Sequence, residues 1–161
     1  MTPGRPAGLV IGTATRADAP AILALQRCAY QAEAQRYGDP ALPPLTQTLD
    51  ELEAEIAAGI VLKARIGTVL VGSVRARLVD GTCRIGRLIV DPASQRRGIG
   101  SALLQAIEAA CPQAERFALF TGSRSADNLR LYRRHGYQVN GEQVVSDKVT
   151  LVLLEKARGV G

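Results

Sequence analysis

The spacing of apolar residues changes several times along this chain, and each change marks a boundary. Residues 9–13 form a short apolar run with β-branched members, which predicts a first strand. Asp18 and Pro20 then mark a helix start. Ile22, Leu25, Cys28, Ala29 and Ala32 follow at steps of three and four, a stripe that ends near Gly38. The segment GDPALPPLTQ reads as a Pro-rich loop, stiff because each proline fixes its own φ. Thr48 with Glu51 makes a capping box, Leu49, Leu52 and Ile56 supply one face, and Gly59 stops a second predicted helix.

Residues 60–90 read as three strands. The first turns near Gly67 into a long strand ending at Val79, and Asp80-Gly81 is a two-residue hairpin signal. Pairing across that turn sets Leu78 opposite Cys83 and Ala76 opposite Ile85 on one apolar face, with Arg77 and Arg84 on the other. The apolar phase then slips, because Cys83 and Ile85 are odd whereas Leu88 and Val90 are even. Either both faces are buried beyond Gly86, or one extra residue is inserted near Gly86-Arg87; a bulge is the favoured reading, since glycine suits it and bulges re-aim backbone groups beside sites.

The organising stretch is RLIVDPASQRRGIGSALLQAIEAAC. Leu88, Ile89 and Val90 form a strand that stops at Asp91-Pro92, and from Ile99 onward Leu103, Leu104, Ile107 and Cys111 recur at helical spacing until Pro112. QRRGIG therefore sits where a helix begins. Free backbone N–H groups and the positive end of the helix dipole favour an anion there, Gly98 and Gly100 allow close approach of phosphate oxygens, and Arg96 and Arg97 add charge. The turn lacks the Gly-x-Gly-x-x-Gly of dinucleotide folds and the Gly-Lys-Ser/Thr of a P-loop, so alone it is equally a glycine-capped helix with solvated arginines. Beyond it, residues 116–121 form a strand. Ser125 can cap a helix that runs through Tyr132 to Gly136, and residues 139–145 and 148–154 suggest a closing hairpin. Ser125, Asn128 and Tyr132 lie at i, i+3 and i+7, along one side of that helix.

Composition narrows the class. The 161 residues suit one domain with its own core, and 47% hydrophobic against 22% charged residues fits a folded globular protein. The formal charge of +5 comes from 20 basic and 15 acidic residues, with no Trp and no run of five basic residues, so a phosphorylated small ligand explains the basicity more locally than nucleic acid does. Cys28, Cys83 and Cys111 are odd in number and lie within apolar patterns, which predicts neither disulfides nor zinc and points to a reducing cytoplasm. No apolar run reaches membrane-spanning length, and MTPGRPAG has no signal-peptide core. A single histidine, His135, cannot build a recognisable metal site.

Strand-QRRGIG-helix, followed by strand, loop and NLRLYRRHGY, resembles the GNAT superfamily of acyl-CoA-dependent N-acetyltransferases. Gln95 to Ser101 match its Q/R-x-x-G-x-G/A signature, and Leu131-Tyr132 with Gly136-Tyr137 match its L-Y-x-x-x-G-F/Y. The resemblance implies an α/β (α+β) fold: a mixed, mostly antiparallel central sheet of about seven strands with helices on both faces. It places one domain at residues 9–156 between flexible tails at 1–8 and 157–161. It implies that Leu88, Ile89 and Val90 hold the acyl and pantetheine part of acetyl-CoA. Gln95, Arg96, Arg97, Gly98, Ile99, Gly100 and Ser101 would cradle the pyrophosphate, and Tyr132 would sit beside the thioester sulfur. Many members carry Asn seven residues before the Tyr, where this chain has Ser125; Asn128, four before it, is the other candidate for that contact with coenzyme A. The superfamily also allows a homodimer, which no residue here marks.

Attack of an amine on a thioester needs a neutral nucleophile, donors for the oxyanion and an acid for the departing thiolate. A bulged strand near residues 87–89 would supply donors, and Tyr132 the acid, against the alternative that it is only a core aromatic. An α-amine of pKa ~7.8 is about a tenth neutral near pH 7, whereas a lysine amine at ~10.4 needs a base more urgently. Glu33, Asp39, Glu51 and Asp147 are candidates by proximity only. Tyr30, Glu33 and Tyr37 share one side of the first helix and, with the Pro-rich loop, are candidates to line the acceptor site. His135 reads as a surface or helix C-terminal cation. No cysteine falls in the motifs, so the expected reaction is direct transfer from acetyl-CoA, without metal, to the primary amine of a small molecule or polypeptide. The rivals are a non-catalytic acyl-CoA-binding module and nucleic-acid binding through the arginines.

Overall fold

The computed structural model describes residues 5–159. The tails expected at 1–8 and 157–161 lie outside these residues at 1–4 and 160–161. Seven strands among the described residues form one sheet: β1 (Leu9–Thr13), β2 (Ile60–Ile66), β3 (Val69–Val79), β4 (Thr82–Val90), β5 (Arg116–Gly122), β6 (Gln138–Val144) and β7 (Thr150–Ala157). Their spatial order is β1-β2-β3-β4-β5-β7-β6, and every neighbouring pair is antiparallel except β4 with β5. The helices are α1 (Ala19–Tyr37), α2 (Pro43–Thr46), α3 (Leu49–Ala58), α4 (Ile99–Ala109) and α5 (Ala126–Arg134). This is the expected α/β architecture of mostly antiparallel strands. No helix among the described residues is long and apolar enough to cross a membrane.

Adjacent residues of β2 show how the sheet is covered. Val61 packs with Ala19, Ile22 and Leu23 of α1 and Leu52 of α3, whereas Leu62 joins the larger cluster containing Leu103, Leu104 and Ile107 of α4. Because successive strand residues face opposite ways, α1 and α3 cover one face and α4 the other. Ile99, Leu103, Leu104 and Ile107 are almost wholly buried, each contributing roughly 1.5–3 kcal/mol of apolar transfer. Gly72 lets α4 come this close: a Cβ there would stand 2.8 Å from Leu103 Cδ1 and 2.9 Å from the Ile89 carbonyl oxygen.

Local chemistry sets the boundaries. Thr48 Oγ1 accepts from the Glu51 N–H at 3.2 Å and Glu51 Oε1 from the Thr48 N–H at 2.9 Å, the reciprocal cap expected for α3. Gly38 ends α1 in the left-handed conformation, φ 61°. Asp80 and Gly81 both have positive φ, 50° and 80°, as a two-residue hairpin turn demands, and the register across them pairs Leu78 with Cys83 and Ala76 with Ile85.

Three expectations need correction. Cys28 and Ala32 are exposed; α1 turns Ile22, Leu23, Leu25, Gln26, Ala34 and Tyr37 inward, so the polar Gln26 and the tyrosine join the expected Ile22 and Leu25 on its buried face. The Pro-rich loop contains a single helical turn, α2, with Pro43 at a first-turn position where its missing N–H costs nothing. Leu78 is 45% exposed, because the hairpin tip extends past the helices that cover Ala76, Cys83 and Ile85.

Candidate active site

The lone parallel junction shapes the site. β4 and β5 pair only over Thr82 with Arg116, Cys83 with Phe117 and Arg84 with Ala118; beyond that no ladder joins them. Backbone groups of β4 past Arg84 that face β5 are therefore left without a strand partner on that side. The β3–β4 register also skips, from Arg75 with Gly86 to Ser73 with Ile89, so that Arg87 and Leu88 both stand opposite Val74. Arg87 sits in the left-handed region, φ 50°. This is the bulge expected near Gly86-Arg87.

Asp91 follows β4, its Oδ1 accepting from the Ala93 N–H at 3.0 Å, and one tight turn leads into α4. Within that turn Arg96 and Gly98 both have positive φ, 65° and 81°. Alternation of left-handed and ordinary residues gathers successive N–H groups into an anion-binding concavity at the helix N-terminus. The side chains of Gln95, Arg96 and Arg97 are exposed, while Ile99 is buried and anchors the helix. Ser101 is also buried, its Oγ 2.9 Å from His135 Nε2. His135 takes the second of its two expected places, half-buried at the C-cap of α5. Burial pushes its pKa down; Glu108 opposes this, and Lys156 and Arg134 add to it.

From the other side of the gap α5 presents Tyr132, 6% exposed and edge-on to Tyr137 with ring centroids 6.1 Å apart. Burial pushes the Tyr132 phenol well above its ordinary range, and the Tyr30 hydroxyl adds to the shift. Asn128 Nδ2 donates to Thr121 Oγ1 at 3.2 Å. Ser125 occupies the N-cap position but makes no side-chain cap, contrary to the sequence reading. Its hydroxyl instead donates to Glu33 Oε2 at 2.8 Å and lies 2.9 Å from the Tyr37 hydroxyl. The Tyr37 oxygen accepts from the Arg124 N–H at 2.9 Å, which leaves its own proton for Ser125. At 2% exposure, Ser125 is committed to α1. Of the two candidates, Asn128 is the less buried.

Glu33 and Tyr37 are thus joined to the α5 turn, and Tyr30 stands one turn earlier on α1. Burial raises the Tyr30 phenol; the Arg87 and Arg75 guanidinium groups oppose the rise and Glu33 reinforces it. Tyr30 lines a cleft of about 450 Å³ together with Arg75, Arg77, Arg84, Arg87 and Phe120. None of these arginines was selected from the sequence as a site residue. The signal is present in the hairpin alternation, where Arg77 and Arg84 share the face opposite the apolar pairs. The other carboxylates are occupied or remote: Glu51 caps α3, Asp39 Oδ1 accepts from the Ala41 N–H at 3.0 Å, and Asp147 is exposed in the β6–β7 turn.

Residues 19–137 match the model of the acetyltransferase (GNAT) family. No curated protein matches the chain. Among solved structures, PaiA N-acetyltransferase from Thermoplasma acidophilum in complex with coenzyme A superposes with a TM-score of 0.81 at 15% identity, covering 93% of this chain and 99% of that one. YncA from Salmonella typhimurium with acetyl-CoA gives 0.74 at 21%, covering 96% of both. The ribosomal-protein-S18-alanine N-acetyltransferase from Escherichia coli gives 0.74 at 15%, covering 92% and 93%. At these identities the superpositions establish the fold, and with the family match over most of the domain they carry one conclusion: the chain belongs to the GNAT acetyltransferase family.

Proposed function

We propose that this protein transfers the acetyl group of acetyl-CoA to a primary amine by direct attack within a ternary complex, in a single domain spanning residues 9–156. The observation that carries this is the meeting of three segments: a Cβ on Gly100 of α4 would stand 3.3 Å from Leu131 Cδ2 of α5 and 3.9 Å from Val90 Cγ2 of β4, which sets the positive-φ turn beside the bulged strand and the helix of the buried Tyr132. In this reading the turn from Gln95 to Ser101 takes the pyrophosphate, Leu88, Ile89 and Val90 take the pantetheine arm along the unpaired strand edge, and the Asn128 amide contacts that arm from α5. Ser125 serves as a structural tie to Glu33 and Tyr37.

The amine nitrogen forms a bond to the acetyl carbon while backbone N–H groups of the bulge stabilise the developing oxyanion. The C–S bond breaks, the thiolate takes the Tyr132 proton, and the nitrogen loses its extra proton to solvent, which in turn restores the phenol. Burial makes Tyr132 a weaker acid, but it raises the proton affinity of a thiolate released beside it in the same way, so the two remain matched. Glu33 orients the acceptor side through Ser125 and Tyr37. A reducing cytoplasm, expected from three cysteines scattered through apolar patterns, is included in the proposal.

The test is release of free coenzyme A thiol with a panel of small amines, peptide N-termini and lysine peptides. The expected result is turnover with at least one class, lowered roughly 10²-fold in Tyr132→Phe with acetyl-CoA affinity little changed. Acetyl-CoA binding without thiol release from any amine would reduce the protein to a binding module.

A further inference from the structure

Like charges directly opposite one another across a hairpin are unfavourable, yet this chain places Arg77 opposite Arg84 beside the cleft. Arg75, two residues along the same strand, and Arg87, at the bulge, bring the guanidinium groups of the cleft lining to four. Glu55 is the carboxylate among them, and it is engaged by Arg75. Among the described residues, no carboxylate pairs with Arg77, Arg84 or Arg87. Arg75 is 7% exposed, and its terminal nitrogens reach Glu55, Gln47 and Gln26 while its Nε is buried with no partner. Guanidinium groups gathered without carboxylate partners repel one another, and an anion in the cleft relieves that repulsion.

Resting on the acetyl transfer proposed above, we infer that the acceptor is a small amine that also carries an anionic group, a carboxylate or a phosphate, held on Arg77, Arg84 and Arg87. Planar guanidinium forks match either anion, and a cleft of about 450 Å³ is the size of a metabolite site. The cleft is lined by α1, α3 and strands β2 to β5, whereas the turn proposed for the pyrophosphate belongs to α4, so the two positive regions are built from separate segments. Tyr30 of α1 lines the cleft one turn before Glu33, which accepts from the Ser125 hydroxyl in the turn that opens α5, so the cleft and the helix of Tyr132 share α1 as a wall.

The experiment compares matched acceptors in the thiol-release assay: amino acids against their carboxamides, and aminoalkyl phosphates against amino alcohols of equal length. The anionic member of at least one pair is expected to have a kcat/KM ~10- to 100-fold higher. The pair with the larger ratio identifies the anion. In Arg77→Gln and Arg84→Gln, both at exposed positions, the ratio is expected to fall by ~10-fold through KM for the anionic acceptor, with the denaturation midpoint kept near the parent's. Equal or better turnover of the neutral members, or of peptide N-termini over every small acid, overturns the subsite while acetyl transfer stands. A rise in KM for acetyl-CoA in these variants with the ratio intact assigns the arginines to the coenzyme and also overturns it. Absence of thiol release with every amine removes the inference together with the transfer reading.

Discussion

The ring of Tyr37 occupies the space that a side chain on Gly122 would fill: a Cβ at that position would overlap the Tyr37 hydroxyl and stand 2.5 Å from its Cζ. The last residue of β5 is thus kept bare so that the last residue of α1 can reach the α5 turn. Gly122→Ala is expected to destabilise the fold by roughly 1–3 kcal/mol through overpacking, measured by urea denaturation. Tyr37→Phe keeps the ring but strips the Arg124 N–H and Ser125 hydroxyl of a partner, and should cost about 1–2 kcal/mol. A Gly122→Ala protein as stable as the parent would mean that Tyr37 is not seated there.

Tyr132 bears on the pH profile. Burial raises its pKa above the ordinary value near 10, so the phenol keeps its proton throughout the working range. Turnover is expected to climb between about pH 6 and 9 as the acceptor amine loses its proton, and not to fall again before about pH 10. An alkaline fall centred lower, absent from Tyr132→Phe, would contradict a raised phenol.

The turn before α4 can be probed by backbone alone. Gly98 has φ 81°, a conformation that costs an L-residue about 1–2 kcal/mol, and Arg96 already bears such a conformation at φ 65°. Gly98→Ala is expected to raise the KM for acetyl-CoA ~10-fold while turnover at saturation is retained. Steady-state kinetics separate the two parameters, and an unchanged KM would dissociate the turn from the coenzyme.

His135 makes stability fall with acid. Its folded-state pKa lies below the unfolded value near 6.5, so between the two the unfolded chain binds more protons, and stability is lost as pH drops from about 6.5 through the folded pKa. His135→Gln should show a shallower loss than the parent between about pH 6.5 and 5 in denaturant titrations. Parallel curves would show that the Ser101 contact does not depend on the neutral imidazole.

Much of this architecture could be read from residue order because local rules decided it. The Thr48–Glu51 box, the Asp80-Gly81 turn and the phase slip at Gly86 are each settled within a few residues, and each recurs in the structure. The inward side of α1 could not be read that way. Gln26 and Tyr37 are buried because Pro44, Gln47, Arg75 and Ser125, all distant in sequence, offer them partners. Ser125 has the composition of a cap, yet it bonds across the gap to α1, because Glu33 and Tyr37 supply a carboxylate and a hydroxyl at once. The cleft arginines escaped selection for the same reason: alternation shows that they share a face but not that α1 and α3 wall it in.

The short stem shared by β4 and β5 has a mechanical meaning. Two half-sheets, β1 to β4 and β5 to β7, are stitched together at one end by three residue pairs and stand apart at the other. Beyond the stitched end the halves are held by side chains instead, Ser125 of the α5 turn bonding to Glu33 and Tyr37 of α1, so a tilt at the stem loads that tie. Substitutions among Thr82, Cys83, Phe117 and their neighbours are therefore expected to shift β4 against α5, and with them the site proposed between the two, although none of these residues lies in it.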